Sequence, residues 1–163
     1  MTIKIPEDIV DYLRYEDGKL FWEKTTAKQV KVGEEAKSID SRGYKIVRFK
    51  GRLYQTHRVI WFLVNKEQPP KVLDHINNDR LDNHIENLRE VTYSQNSHNA
   101  KIRTDNKSGV KGVHWNKKNN NWVVQVRANN KNQHIGSFTN LTEAEHAVKN
   151  ARKTLHGEYA NHG

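Results

Sequence analysis

The chain contains no cysteine. That excludes a disulfide framework, a thiol nucleophile and any zinc site built on thiolates. Apolar residues are scarce as well, at 34%. Glycine raises the figure only to about 40%, below the ~45–50% of an average globular chain counted in the same way, so one large core is not expected. The longest apolar run, Val59 to Val64, falls far short of the ~20 residues a membrane-spanning helix needs. Met1 to Pro6 lacks the apolar run of a secretory signal. These absences predict a soluble, intracellular, cytoplasmic protein with no membrane partner. Acidic charge is the last shortage: Asp and Glu total 19 against 28 Lys and Arg, a net charge of +9. The surplus points to a polyanion as partner.

The 163 residues suit one domain or two small ones, and the charge divides them. Residues 1–100 carry 17 basic and 15 acidic groups, whereas 101–163 carry 11 and 4. Within the second part, 101–140 alone supplies a net +7. A basic block followed by a neutral helix reads as a small binding module. We therefore expect a domain over 1–100, a polar linker over 101–108 and a second domain over 109–163.

In the first part, Pro6 to Leu13 reads as a short helix with Ile9 and Leu13 on one side, Pro6 taking an early helical position. Leu20 to Trp22, Tyr44 to Phe49 and Leu53 to Gln55 read as strands, with a turn at Lys50-Gly51-Arg52. Val59 to Val64 is a buried helix or strand, ended by Pro69-Pro70. From Gly109 the pattern is three strands and a helix. Along Trp122 to Arg127, Trp122, Val124 and Val126 alternate with Val123, Gln125 and Arg127. Asn119-Asn120-Asn121 and Asn129-Asn130 suit turns, and His134 to Phe138 is the third strand. Thr142 with Glu145 reads as a capping box opening a helix whose apolar stripe is Ala144, Ala147, Val148, Ala151 and Leu155.

The densest chemistry lies in residues 71–100. Val72 to Asp79 runs from strand into a polar loop, Leu81 to Thr92 returns to strand, and Tyr93 to about Lys101 suits a helix bearing Asn96, His98 and Asn99. The adjacent Asp74-His75 pair at a strand end sends its side chains to opposite sides of the backbone, so one can bind a metal while the other acts as a base. A long turn would also be filled by Asp and Asn, which bond nearby backbone. Against that reading stand the framing apolar residues Leu73, Ile76, Leu81, Ile85, Leu88 and Val91. Of the other histidines, His57 lies among apolar residues and suits a structural role, His84 reads as an exposed loop residue, and His146, His156 and His162 have no evident partners.

The ordered set Leu73-Asp74-His75-Ile76-Asn77-Asn78-Asp79, Asp82-Asn83, Glu86-Asn87-Leu88 and Ser94-Gln95-Asn96 closely resembles the HNH endonucleases, above all the phage-type homing and free-standing enzymes. Tyr54 to Trp61 and Asp17 to Trp22 share the likeness, which spans roughly residues 5–100. The resemblance implies a ββα-metal fold. His75 would be the general base, and an imidazole, ordinarily titrating near ~6.5, suits proton uptake at neutral pH. Asp74 and Asn96 would hold one divalent ion, and Asn87 would bond across the loop and keep His75 oriented. Many members carry His where this chain has Asn96. An Asp and Asn oxygen set is hard and favours Mg²⁺, with Mn²⁺ as substitute, over Zn²⁺. Roles for His98 and Asn99 stay open.

Ser108 to Trp115, Trp122 to Arg127, Ile135 to Phe138 and the Ala-rich helix resemble the ethylene-response-factor type of DNA-binding domain, in which a three-stranded sheet enters the major groove with a helix on its back. That resemblance implies DNA contacts from Lys111, His114, Trp115, Gln125, Arg127, Lys131 and His134. Singly, each fits a solvated basic face equally well. The expectation is an α+β protein: an N-terminal ββα-metal nuclease domain followed by a three-stranded antiparallel sheet packed on one helix. It would be a phage-encoded, metal-dependent enzyme, monomer or weak dimer, that nicks duplex DNA in the host cell. A non-catalytic DNA-binding regulator on the same scaffold is the alternative, and an RNA-binding module fits the charge but not the nuclease residues.

Overall fold

Short strands joined by tight turns dominate the computed structural model, which describes residues 3–129 and 131–162. Those residues form a mixed α and β structure divided into two units, Met1–Glu90 and Val91–Gly163.

In the first unit, Pro6 starts only a single 3₁₀ turn, Glu7–Asp11. The longer helix expected to Leu13 does not form, because Leu13 is taken into strand β1, Leu13–Glu16, and paired opposite Trp22 of β2, Lys19–Trp22. That pairing buries both side chains, and tertiary burial overrides a weak local preference. The hairpin turns on Asp17 and Gly18, at φ 47° and 72°, the left-handed pair that suits a twisted two-residue loop. Strands β3 (Ser38–Ile39), β4 (Lys45–Phe49) and β5 (Arg52–Gln55) make a sheet in that order.

Helix α1, Thr56–Asn65, settles the apolar run as helix. Its buried residues are Thr56, His57, Val59, Ile60, Phe62 and Leu63, and Thr56, Val59, Ile60 and Leu63 among them repeat at three to four positions, the spacing of one helical face. Lys66, at φ 60°, ends it with its N–H on the Phe62 carbonyl. The core gathers Ile5, Ile9, Leu13, Leu20, Val47, Phe49, Val59, Ile60 and Leu88. Leu88 brings in the last pair, β6 (Leu73–His75) against β7 (Leu88–Glu90), with Asp74 opposite Arg89 and His75 opposite Leu88.

The second unit opens with α2, Tyr93–Asn99, capped by a reciprocal box between Thr92 and Gln95. Strands β8 (Val113–Asn116), β9 (Asn121–Ala128) and β10 (Lys131–Phe138) form an antiparallel sheet with β9 central. Asn129 takes a left-handed turn conformation, as expected; Asn130, the other half of that turn, lies outside the described residues. Val113, Val124 and Val126 meet Ala144 and Val148 of α3, Leu141–His156.

Two details of α3 differ from expectation. Its cap is Asn140, whose side chain accepts from the Thr142 N–H, rather than a box on Thr142. The apolar stripe ends differently too: Leu155 is 36% exposed, while Arg152 is 2% exposed. Arg152 stands four residues beyond Val148 on the buried face and donates to the Lys111 carbonyl beside Gly112. A Cβ on Gly112, at φ +77°, would lie 2.6 Å from the Gln125 carbonyl oxygen, so the chain and the helix approach there as closely as only glycine permits.

Candidate active site

Asp74 and His75 end β6, and alternation along the strand separates their side chains. Both are buried, at 8% and 5% exposure. On one side, Arg89 donates through Nε and Nη2 to Asp74 Oδ2 at 3.2 and 3.1 Å. The cross-strand register places the two residues directly opposite one another. On the other side, His75 Nε2 meets Asn83 Oδ1 at 3.0 Å. Asn83 is 1% exposed, and its Nδ2 donates to the Leu81 carbonyl at 3.4 Å. That second contact sets the amide oxygen towards the imidazole, where it accepts a hydrogen bond in the tautomer that carries its hydrogen on Nε2.

Two further rings stand beside His75. His57, on α1, lies edge-on to it with centroids 4.9 Å apart, and Tyr44 lies 6.2 Å away. Burial, and then the proximity of His75, pull the His57 pKa down to about 3. His57 is therefore neutral near pH 7 and adds no charge at the site.

The loop between β6 and β7 is held mainly by side chains. Asn87 Oδ1 accepts from the Asn77 N–H at 3.0 Å, and its Nδ2 donates to Asn77 Oδ1 at 3.0 Å and to the Asp82 carbonyl at 2.8 Å. Asn77 Nδ2 reaches Asp82 Oδ2 at 2.6 Å, and Asp79 Oδ1 accepts from the Leu81 N–H at 2.9 Å. His84 bridges Asp82 at 2.6 Å and Asp17 at 3.1 Å. The bond to Asp82, then that to Asp17, holds the His84 pKa above its ordinary value.

The polar residues of this segment thus divide by task. Asn87 bonds across the loop, and Asn83 meets the His75 ring. Sequence reading missed Asn83, Arg89 and Tyr44. The hairpin register alone could have signalled Arg89, since a strand pair closing at His75 and Leu88 sets Asp74 opposite it.

Asn96 lies exposed on α2 in the second unit. Its neighbours are engaged within that unit. The His98 ring stacks on His156 at 3.7 Å and 4°, and Asn99 is buried and accepts from Asn161 at 3.4 Å. Among the described residues, no three His, Cys, Asp or Glu side chains gather as a metal site. Asp74 and Asn96, the two residues expected to share a metal ion, belong to different units, Met1–Glu90 and Val91–Gly163. Arg89 holds the Asp74 carboxylate through its Oδ2.

The seven DNA-contact residues expected in the second unit fall in three places. By register, His114, Gln125, Arg127 and His134 share the sheet face opposite α3. Trp115 and Lys131 have the parity of the helix-facing residues, although both are exposed. Lys111 is half-buried, and its ammonium donates to the carbonyls of His98 at 2.9 Å, of Asn161 at 3.4 Å and of Ala100. Burial lowers its pKa to about 8. Among the described residues, no helix is long and apolar enough to cross a membrane.

Comparison with known proteins adds to this geometry. Residues 54–98 match the HNH endonuclease family. Protein 3.8 of Escherichia phage T7 is 33% identical over 105 residues, 64% of this chain and 86% of that protein. A protein of Acanthamoeba polyphaga mimivirus named as an uncharacterized HNH endonuclease, L560, is 31% identical over 120 residues, 72% of this chain and 61% of its own length. No solved structure matches.

Proposed function

The chain belongs to the family of phage Protein 3.8 and carries an HNH endonuclease domain, and from that premise we propose that it hydrolyses phosphodiester bonds in duplex DNA with a divalent metal ion, nicking one strand per visit. What supports this reading most is the setting of His75: a buried imidazole at a strand end, beside a buried carboxylate, with Nε2 3.0 Å from Asn83 Oδ1. A general base needs one ring nitrogen held in a known protonation state while the other takes a proton, and Asn83 supplies that. His75 Nδ1 accepts the proton of the attacking water. The water oxygen bonds to phosphorus, and the 3′ oxygen leaves with a proton from solvent, giving 5′-phosphate and 3′-hydroxyl ends. Neutral His57 and the ring of Tyr44 confine the imidazole.

Asp74 and Asn96 would hold Mg²⁺, or Mn²⁺ in its place, and Arg89 fixes the Asp74 carboxylate. When bound, a divalent ion polarises the phosphate and stabilises charge on the leaving oxygen. Asn87 supports His75 at one remove, by closing the loop on Asn77 and Asp82.

The second unit is proposed to grip duplex DNA as an ethylene-response-factor-type module, through the sheet face bearing His114, Gln125, Arg127 and His134. Trp115 and Lys131, although exposed, have the parity of the other face, and Lys111 caps backbone carbonyls. The test is conversion of supercoiled plasmid. The reading expects open circle in Mg²⁺ and none in EDTA. A clear gel shift with no cleavage in any divalent metal would favour a DNA-binding regulator.

A further inference from the structure

Two loops of the first unit bring guanidinium groups to one ring next to His75. Tyr44 is half-buried, its centroid 6.2 Å from that of His75 and 5.5 Å from that of His57. Over it lie the Arg80 guanidinium at 4.8 Å and the Arg42 guanidinium at 5.8 Å. Arg80 comes from the β6–β7 loop and Arg42 from the β3–β4 turn. The two loops are tied where they meet, for Arg80 Nη1 donates to the Arg42 carbonyl at 2.7 Å.

The turn that carries Arg42 is prebuilt. Asp40 Oδ1 accepts from the N–H groups of Arg42 and Tyr44 at 2.9 and 3.0 Å, while Oδ2 takes Arg42 Nε and Nη2 at 3.1 and 2.9 Å. Asp40 therefore offsets the charge of Arg42. Arg80 has no such partner: among the described residues no carboxylate pairs with it, and its contacts are a carbonyl and a ring face. Two like charges drawn to one ring, with a single carboxylate between them, leave one cation uncompensated. An aromatic face attracts a guanidinium and holds it flat, but it does not neutralise it. The group that would do so is an anion with paired oxygens, which the planar fork of arginine matches in bidentate fashion.

The geometry points to Arg80 and Arg42, seated on Tyr44, as a clamp for a backbone phosphate of duplex DNA adjoining the one attacked at His75. This rests on the nuclease reading for its ligand and extends it, because phosphate recognition beside the site is assigned to residues outside the second unit. The clamp reads charge and spacing rather than base sequence, so it acts alike on any duplex. Its function is to set the strand in register with the imidazole before a proton moves.

The test measures binding of the full-length protein to a labelled duplex in EDTA over a range of salt, and cleavage of the same duplex in Mg²⁺. Arg80→Ala is expected to weaken binding about tenfold, as for loss of a charge-assisted hydrogen bond. It should also lower the slope of log affinity against log salt by roughly one. Arg80→Lys should restore the slope but only part of the affinity, since an ammonium supplies the charge without the fork. Arg42→Ala should lower the slope less, its charge being offset by Asp40. In cleavage, Arg80→Ala should raise KM more than it lowers kcat. Wild-type slope and KM in both alanine variants would overturn the clamp while leaving the nuclease reading intact. A reduced slope in a protein that never cleaves would sustain the clamp and remove the nuclease reading. An equal effect of Arg80→Lys and Arg80→Ala on the slope would overturn the charge-based account.

Discussion

The two units handle polar residues in opposite ways. Around His75 the polar groups are buried and bonded to one another: Asp74 to Arg89, His75 to Asn83, Asn87 to Asn77. On the sheet of the second unit, Arg127, His114 and His134 stand exposed, on strands whose other face is packed with valine. Residues 1–100 are nearly charge-balanced, at a net +2, against +7 for residues 101–163. Chemistry at a single atom needs a side chain held in one rotamer and one tautomer, and burial with satisfied hydrogen bonds achieves that. Gripping a polyanion needs many exposed charges, no one of which is indispensable. The contrast can be sharpened or broken by substitution in each region.

Short of removing His75 itself, the largest effect is expected at Asn83. Asn83→Ala removes the partner of His75 Nε2–H and leaves a buried donor unpaired, costing about 1–3 kcal/mol of stability. Cleavage should fall on the order of 10–100-fold, as for other groups that orient a reacting imidazole. Single-turnover kinetics on folded protein check this, with DNA affinity unchanged. Equal rates for wild type and variant would show that Asn83 is only a core residue.

In the second unit, Gly112→Ala should be the most damaging small change. Its Cβ would sit 2.6 Å from the Gln125 carbonyl and 3.0 Å from Arg152 Nη2, at a φ of +77°. A loss of roughly 1–3 kcal/mol is expected, from left-handed backbone and close contact together. Thermal unfolding followed by Trp115 and Trp122 fluorescence would register it. An unchanged midpoint would mean that the sheet and helix have slack the packing does not indicate.

These two positions also mark what sequence could and could not disclose. The alternation of Trp122, Val124 and Val126 with Gln125 and Arg127 made the sheet legible, because period-two burial is written directly into residue order. The Asp74-His75 pair was legible from its framing apolar residues. Asn83 was not, since seven Asn and Asp residues between Asn77 and Asn87 or at Asp74 offer the same side-chain chemistry and only the folded loop decides which reaches the ring. Arg152 was obscured by its charge: position along α3 places it on the buried face, and a backbone carbonyl makes burial tolerable. The run Val59 to Val64 fitted helix or strand until the buried Thr56 and His57 extended its period upstream.

A smaller effect should appear in acid. His57 resists protonation down to about pH 3 in the folded state, while in the unfolded chain it takes a proton near ~6.5. Its contribution to stability is thus full above ~6.5 and is lost as the pH falls from there to about 3, at up to roughly 1.4 kcal/mol per pH unit. His57→Phe should flatten that part of the stability curve in urea titrations at stepped pH. A curve as steep as wild type would assign the acid sensitivity to the carboxylates alone.

The least effect belongs to the exposed sheet. Arg127→Ala should weaken duplex binding only a few-fold and lower the salt slope by roughly one. Loss of all binding from this one change would contradict a distributed electrostatic grip.

The central claim is that His75 is the proton-accepting group of a DNA-cleaving site, and it is tested most directly by His75→Ala. Single-turnover nicking in Mg²⁺ and duplex affinity in EDTA should be measured on one preparation. The account predicts a loss of cleavage of about 10²–10⁴-fold, the usual contribution of a general base, with affinity held within about twofold. Nicking at the wild-type rate by the folded variant would contradict it.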